Sequence, residues 1–412
     1  MKTLELDALA ALLPGVVPSP PGGPRVVVSG NFATPLTLLD AVDSAFGEYR
    51  LHLLNAQSGI PDRDGVSYET AFVGPAMRRS PRLAYVPSRL SMLPLLYHDA
   101  LPPDLVVLHT STPLDGAVSL GLEVNVLPAA IDAARARGAV VIAQMNPAMP
   151  YTYGDAEVPL DRIDYAVEVP APLLSPAPRA RDDASAEIGA RVAARVSDGA
   201  TMQLGIGAVP DATLPGLSHR RGLRIWTEMF SDGVLRLDAA GALDTTATIT
   251  ASFVFGSPEL YSWVDRNPRV RLMRTEHTND PAMIARQPQL TSINSALQVD
   301  LFAQVNASRI GARIYSGFGG QTDFLVGALH SRGGQAFIAL RSWHPKADVS
   351  TIVPLLGEPA TSFQATAIVT EYGIAPVYGL DERAQANGLI EQAAHPDARA
   401  QLRDAAGALG LR

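Results

Sequence analysis

The chain has 412 residues, of which 47% are hydrophobic and 18% charged, enough apolar material for large buried cores and too little charge for a disordered chain. Asp and Glu number 41 against 33 Lys and Arg, a net charge of −8, and basic residues gather only in pairs such as Arg78-Arg79 and Arg220-Arg221, which argues against a nucleic-acid partner. Cysteine is absent, so disulfides, thiolate metal sites and Cys nucleophiles are excluded.

At roughly 150 residues per domain the length suggests about two or three domains. Met1 to Val17 lacks the pattern of a secretory signal, and no stretch of about 18 apolar residues occurs, so a cytoplasmic protein with no membrane partner is expected. Short apolar runs recur along the chain: Arg25–Ser29, Asp104–His109, Ala139–Ala143, Thr201–Leu204, Ala336–Leu340 and Ala367–Thr370. Without polar alternation they suit strands covered on both faces, which means a mainly parallel α/β sheet. Helical patterns lie between them, the clearest over Leu127–Arg137 and Ala184–Val196.

Residues 169–179 carry four prolines in eleven residues, which neither a helix nor a central strand accepts. A domain boundary is expected there, giving an N-terminal domain of residues 1–178 and a C-terminal domain of residues 179–412. An internal echo accompanies this division. Gly30 and Pro35 follow the first strand as Gly205 and Pro210 follow the Thr201 strand, although strand, glycine turn and helix is also what any α/β unit looks like.

Three segments could carry chemistry. In Gly205-Ile-Gly-Ala-Val-Pro-Asp211, two glycines permit a tight turn and close approach of a ligand, and the helix that follows would attract an anion through its free N–H groups; a purely structural turn reads the same way. In Arg224-Ile-Trp-Thr-Glu-Met-Phe-Ser-Asp-Gly233, an apolar run leads into Glu228. A carboxylate in a partly apolar pocket is poorly solvated and becomes a better nucleophile or base, whereas most glutamates are simply solvated. Asp232-Gly233 reads as a turn. In Tyr315-Ser-Gly-Phe-Gly-Gly-Gln-Thr-Asp-Phe324, Gly317, Gly319 and Gly320 expose backbone N–H groups of the kind that stabilise an oxyanion or a phosphate, and a surface loop would look similar. None of the eight histidines has a partner at helical metal-site spacing, and no Gly-x-Ser-x-Gly elbow occurs.

At these segments the chain resembles the acetyl-CoA hydrolase/transferase family of class I CoA-transferases. The likeness extends over Gly30–Pro35, Leu120–Asn125, Asn146–Pro150, the Gly205 segment, Thr227–Gly233, Asn279–Pro281, Ser292–Leu297, Ser316–Phe324 and Val369–Ile374. It implies two related open-sheet α/β domains with the active site between them. It also implies a ping-pong CoA transfer between an acyl-CoA and a short carboxylate such as acetate, propionate, butyrate or 4-hydroxybutyrate, with CoA as substrate, no resident cofactor or metal, and a homodimer as the oligomer.

Residue by residue, Glu228 falls on the family's catalytic glutamate. Gly205, Ile206, Gly207, Ala208 and Val209 fall on the CoA-binding loop. The amides of Ile206 and Gly320 fall where the oxyanion hole forms, and Gly317 and Gly319 belong to the same glycine loop as Gly320. Asn279 falls at a polar position near the active site, Glu371 at a second acidic position and Lys346 at a CoA-contacting lysine. Trp226 stands where many relatives have His, and Gln298 where they have Glu, which bears on substrate choice. The alternatives from the residues are an acyl-CoA hydrolase using the same glutamate and a noncatalytic CoA-binding protein.

Overall fold

The structure, a computed structural model, describes residues 1–177, 182–205, 207–360 and 364–411. The described residues gather into two compact units: Met1–Pro176 with Ile249–Thr278 and Ser316–Gly319, and Ala177–Thr248 with Asn279–Tyr315 and Gly320–Arg412.

The first unit is built on eight strands: β1 (Lys2–Thr3), β2 (Arg25–Val28), β3 (Tyr49–His52), β4 (Val66–Thr70), β5 (Leu83–Tyr85), β6 (Leu105–Thr110), β7 (Val140–Met145) and β8 (Tyr165–Glu168). They lie in the order β1-β8-β7-β6-β2-β3-β4-β5, and all neighbours are parallel. The reason is visible in β2, β6 and β7, whose residues are all buried: β-branched runs with no polar face must be covered on both sides. Helix α1 (Leu36–Ala45) follows β2. Helix α2 (Leu127–Arg137) starts with Pro128 in its first turn and ends at Gly138, whose φ of +70° lets its N–H reach back to the carbonyls of Ala134 and Arg135.

The second unit contributes to its main sheet the strands β9 (Thr201–Leu204), β10 (Arg224–Trp226), β11 (Thr291–Asn294), β12 (Gln335–Ala339), β13 (Ala367–Thr370) and β14 (Gly373–Pro376). Their order is β14-β13-β12-β11-β9-β10, parallel except for the β13–β14 hairpin. The helices α3 (Asp183–Arg195), α4 (Ala208–Thr213), α5 (Asp232–Ala239), α6 (Gln321–His330) and α7 (Pro396–Ala408) belong to the same unit. Asp182 caps α3 by accepting the Ser185 N–H at 2.9 Å. Phe324 and Leu325 of α6 join Ile338, Ile368, Leu389 and Leu402 in one buried core.

The two units repeat one topology. The first central strand, β2 or β9, is followed by a neighbour on one side, β3 or β10, and the later strands β6-β7-β8 or β11-β12-β13 add on the other. Gly30 and Gly205 each leave the carboxyl end of the strand at which the order reverses, the place where open parallel sheets hold ligands.

Two expectations differ from what is observed. The expected boundary between residues 178 and 179 lies outside the described residues, and the units are not consecutive halves. Strands Ile249–Ala251 and Val270–Leu272 run parallel to each other and to Tyr153–Gly154, which draws residues 249–278 into the first unit. The expected turn at Asp232-Gly233 is instead the first turn of α5. A β-carbon on Gly233 would lie 1.7 Å from Leu214 Cδ1, so the glycine serves close packing of a helix and not a bend.

Candidate active site

Strand β9 delivers the chain to Gly205, where a β-carbon would stand 3.0 Å from the Ile293 carbonyl oxygen. A buried polar network floors this turn. Gln203 Oε1 accepts from Ser292 Oγ at 2.7 Å, from the Ile293 N–H at 3.1 Å and from Asn294 Nδ2 at 3.1 Å. Gly207 then adopts a φ of +146°, a conformation that side chains disfavour, and α4 opens at Ala208 with Val209 buried. Ile206 lies outside the described residues.

Strand β10 alternates: Arg224 faces solvent, Ile225 is buried, and Trp226 is half-buried against the core of the second unit. After Thr227 comes Glu228, then the short strand Met229–Phe230, both residues buried. Glu228 therefore sits in a two-residue link between strands. Asn279 Nδ2 donates to Glu228 Oε2 at 2.9 Å, and the Gly320 N–H donates to the same carboxylate. Gly320 is the N-cap of α6. A β-carbon on Gly320 would meet Glu228 Oε2 at 2.0 Å and Asn279 Nδ2 at 2.2 Å, so the carboxyl group occupies the space that only glycine leaves open.

Burial is the largest influence on this carboxyl group and disfavours its charged form. The hydrogen bond from Asn279 opposes that, the charge of Asp323 in the first turn of α6 adds to it, and the Gly320 N–H opposes it. The result is a pKa pushed up to about 7. Near neutral pH Glu228 therefore exists in both protonation states, and its anion, held by two donors, is a competent nucleophile toward a thioester carbonyl.

The structure thus brings Glu228, Asn279 and Gly320 together. Glu371 is placed otherwise: its two oxygens accept from the Ser342 N–H at 2.9 Å and from Ser342 Oγ at 2.6 Å, so it grips the chain just beyond β12. Lys346 stands exposed in the hairpin formed by Trp343–His344 and Val349–Ser350. Gly317 and Gly319 lie within the first unit. A β-carbon on Gly317 would lie 2.3 Å from the Ala71 carbonyl oxygen, and Gly319, with φ +56°, lies against the Phe72 ring. Sequence reasoning passed over Asp323 and Thr227. An acidic residue three places after a glycine that opens a helix is the signal for the first, while the second carried none.

Residues 256–406 match the family model of the acetyl-CoA hydrolase/transferase C-terminal domain. The chain is 36% identical to the 4-hydroxybutyrate coenzyme A transferase of Clostridium kluyveri over 401 residues, covering 92% of each chain. It is 35% identical to the succinyl-CoA:acetate/propanoyl-CoA:succinate CoA transferase of Fasciola hepatica, over 93% of this chain and 84% of that one. The crystal structure of RipA from Yersinia pestis superposes with a TM-score of 0.91 at 27% identity, covering 100% of this chain and 98% of the other. The chain belongs to the acetyl-CoA hydrolase/transferase family of CoA-transferases.

Proposed function

We propose that this protein transfers CoA between an acyl-CoA and a short carboxylate through a glutamyl-CoA thioester on Glu228. The observation that carries the residue assignment is the convergence of the Asn279 side-chain amide and the Gly320 backbone N–H on one half-buried carboxylate.

The reaction runs in balanced steps. Ionised Glu228 attacks the acyl-CoA carbonyl, and collapse of the tetrahedral intermediate breaks the C–S bond, giving an acyl-glutamyl anhydride and CoA thiolate. The thiolate then attacks the glutamyl carbonyl and expels the donor acid, leaving CoA as a thioester of Glu228. A second carboxylate attacks that thioester and reverses the sequence. When the thiolate adds, negative charge develops on a Glu228 oxygen, and Asn279 and Gly320 already point their donors at that carboxyl group. Each such donor contributes about 3–4 kcal/mol to a developing oxyanion. The amide of Ile206, beside Gly205 and Gly207, is assigned to the oxyanion of the first addition. Val209 and Ala208 continue this CoA loop, with Gly317, Gly319 and Lys346 as further CoA contacts.

The acceptor is a short acid such as acetate, propionate, butyrate or 4-hydroxybutyrate. Ile225, Met229 and Phe230 are fully buried, which leaves half-buried Trp226 as the member of that apolar group able to meet an acyl chain. The enzyme works on soluble CoA esters without a resident cofactor, as a homodimer in the cytoplasm; among the described residues no helix is long and apolar enough to cross a membrane. Replacing Glu228 with Gln tests the assignment. Transfer is abolished while folding and CoA binding persist, and near-normal transfer by the purified variant would contradict it.

A further inference from the structure

Glu228 is held at its carboxyl end by Asn279 and Gly320, and its backbone has a separate anchor. The β9–β10 ladder pairs Thr201 with Arg224 and Met202 with Ile225. Beyond it, the fully buried side chain of Thr227 takes over. Its Oγ1 accepts the Leu204 N–H at 3.2 Å. The hydroxyl has a single proton and two carbonyls within reach, Met229 at 2.9 Å and Leu204 at 3.2 Å, and the shorter contact places the proton toward Met229.

We propose that Thr227 is a positioning residue for the nucleophile, its hydroxyl forming a relay from the Leu204 N–H to the Met229 carbonyl that closes around Glu228. This rests on the reading of Glu228 as the nucleophile. The relay joins the residue before Glu228 to the residue after it, which fixes the direction in which the side chain leaves the backbone. It also ties that link to Leu204, the last residue of β9, from which Gly205 opens the glycine loop. One hydroxyl therefore sets the nucleophile against the loop assigned to CoA. A misplacement of about 1 Å at a reacting atom costs on the order of 10²-fold in rate, and a buried threonine with its hydroxyl spent on two backbone groups, the Leu204 N–H and the Met229 carbonyl, is a device for preventing it.

The test compares Thr227→Val, which keeps the shape and removes the hydroxyl, with Thr227→Ser, which keeps the hydroxyl and removes the methyl. Thr227→Ala repeats the hydroxyl-free arm with a smaller side chain. Steady-state kcat and KM for acyl-CoA are measured beside borohydride inactivation of the wild type mapped to residue 228. We expect kcat to fall about 10- to 100-fold in the hydroxyl-free variants with KM within about twofold of wild type, and Thr227→Ser to retain most of the wild-type kcat. Unchanged kcat in the hydroxyl-free variants overturns the proposal. So does an equal loss in Thr227→Ser, a rise in KM that accounts for the whole effect, or failure of both hydroxyl-free variants to fold. The mapped inactivation separates the two levels: trapping at a residue other than 228 overturns the reading of Glu228 itself, while trapping at Glu228 with an indifferent Thr227 overturns only the relay.

Discussion

The α-carbon of Gly320 stands against the carboxyl group of Glu228, so that a β-carbon there would lie 2.0 Å from Glu228 Oε2. The glycine is required by its neighbour and not by its own backbone, since its φ of −96° is open to any residue. Gly320→Ala must push the carboxylate away from both of its donors. We expect transfer to fall at least about 10²-fold, while denaturant unfolding shows a loss of only about 1–3 kcal/mol, the usual range for overpacking. Gly320→Val falls further on both measures. A fully active alanine variant would show that the carboxyl group reacts from another position.

The pKa of Glu228, pushed up to about 7, has a kinetic sign. The nucleophile is the ionised form, so kcat/KM, which reports the free enzyme, declines in proportion to rising proton concentration below that value. Asp323→Asn removes a negative neighbour that raises this pKa, and its acid limb moves to lower pH. A pH–rate profile of both proteins checks this. A limb that does not respond to Asp323 would place the titration elsewhere.

The same shift couples to stability. The folded protein binds the Glu228 proton more tightly than the unfolded chain, whose glutamate titrates at 4.5. Between 4.5 and about 7 the folded state therefore holds more protons, and the stability contributed below 4.5 is lost as pH rises through about 7. Glu228→Gln, which stays neutral, should gain on the wild type by roughly 1–3 kcal/mol at pH values above this window and by little below it. Chemical denaturation on both sides of the window measures the difference.

Much of this architecture is legible in the residues, for a physical reason. The buried parallel strands β2, β6, β7 and β13 are short, mainly apolar runs without regular polar alternation, the pattern of strands covered on both faces. Helix α2 occupies Leu127–Arg137 as its composition and the glycine after it suggest. The return of residues 249–278 to the first unit left no trace, because strands of two and three residues are too short to show a period. The site was legible unevenly. Glu228 and Gly320 stand in unusual local sequence, but the contact between them spans 92 positions and depends on where β10 and α6 end. Glu371, a second acidic position by the resemblance alone, holds the Ser342 N–H and hydroxyl, a pairing across 29 positions that no local pattern announces.

Asn279 is the other half of the carboxylate's support. Asn279→Ala removes the donor to Oε2, and kcat should fall by about 10²- to 10³-fold, the usual effect of deleting one oxyanion donor. Asn279→Asp sets a second carboxylate beside the first, which raises the pKa of Glu228 further and carries the acid limb of kcat/KM to higher pH. An alanine variant with wild-type kcat would remove Asn279 from the chemistry.

Substrate choice should be graded. An apolar wall separates acids differing by one methylene by only about 1–3 kcal/mol, and the half-buried Trp226 ring offers no charge to a second carboxylate. Acetate, propionate and butyrate are expected to be preferred over 4-hydroxybutyrate, and Trp226→Ala to shift preference toward longer acids. A kinetic panel with acetyl-CoA as donor decides this: strict dependence on a dicarboxylate, or a strong preference for the hydroxy acid over butyrate, would contradict it.

The central claim is that CoA passes through a thioester on Glu228. Incubating the protein with acyl-CoA, adding borohydride and mapping the peptides tests it directly, because the reagent reduces a glutamyl thioester to an alcohol and leaves a free carboxylate untouched. Acyl-CoA-dependent inactivation is expected, with the reduced side chain at residue 228 and nowhere else. An enzyme that transfers CoA yet keeps an unmodified Glu228 and full activity after this treatment would contradict it.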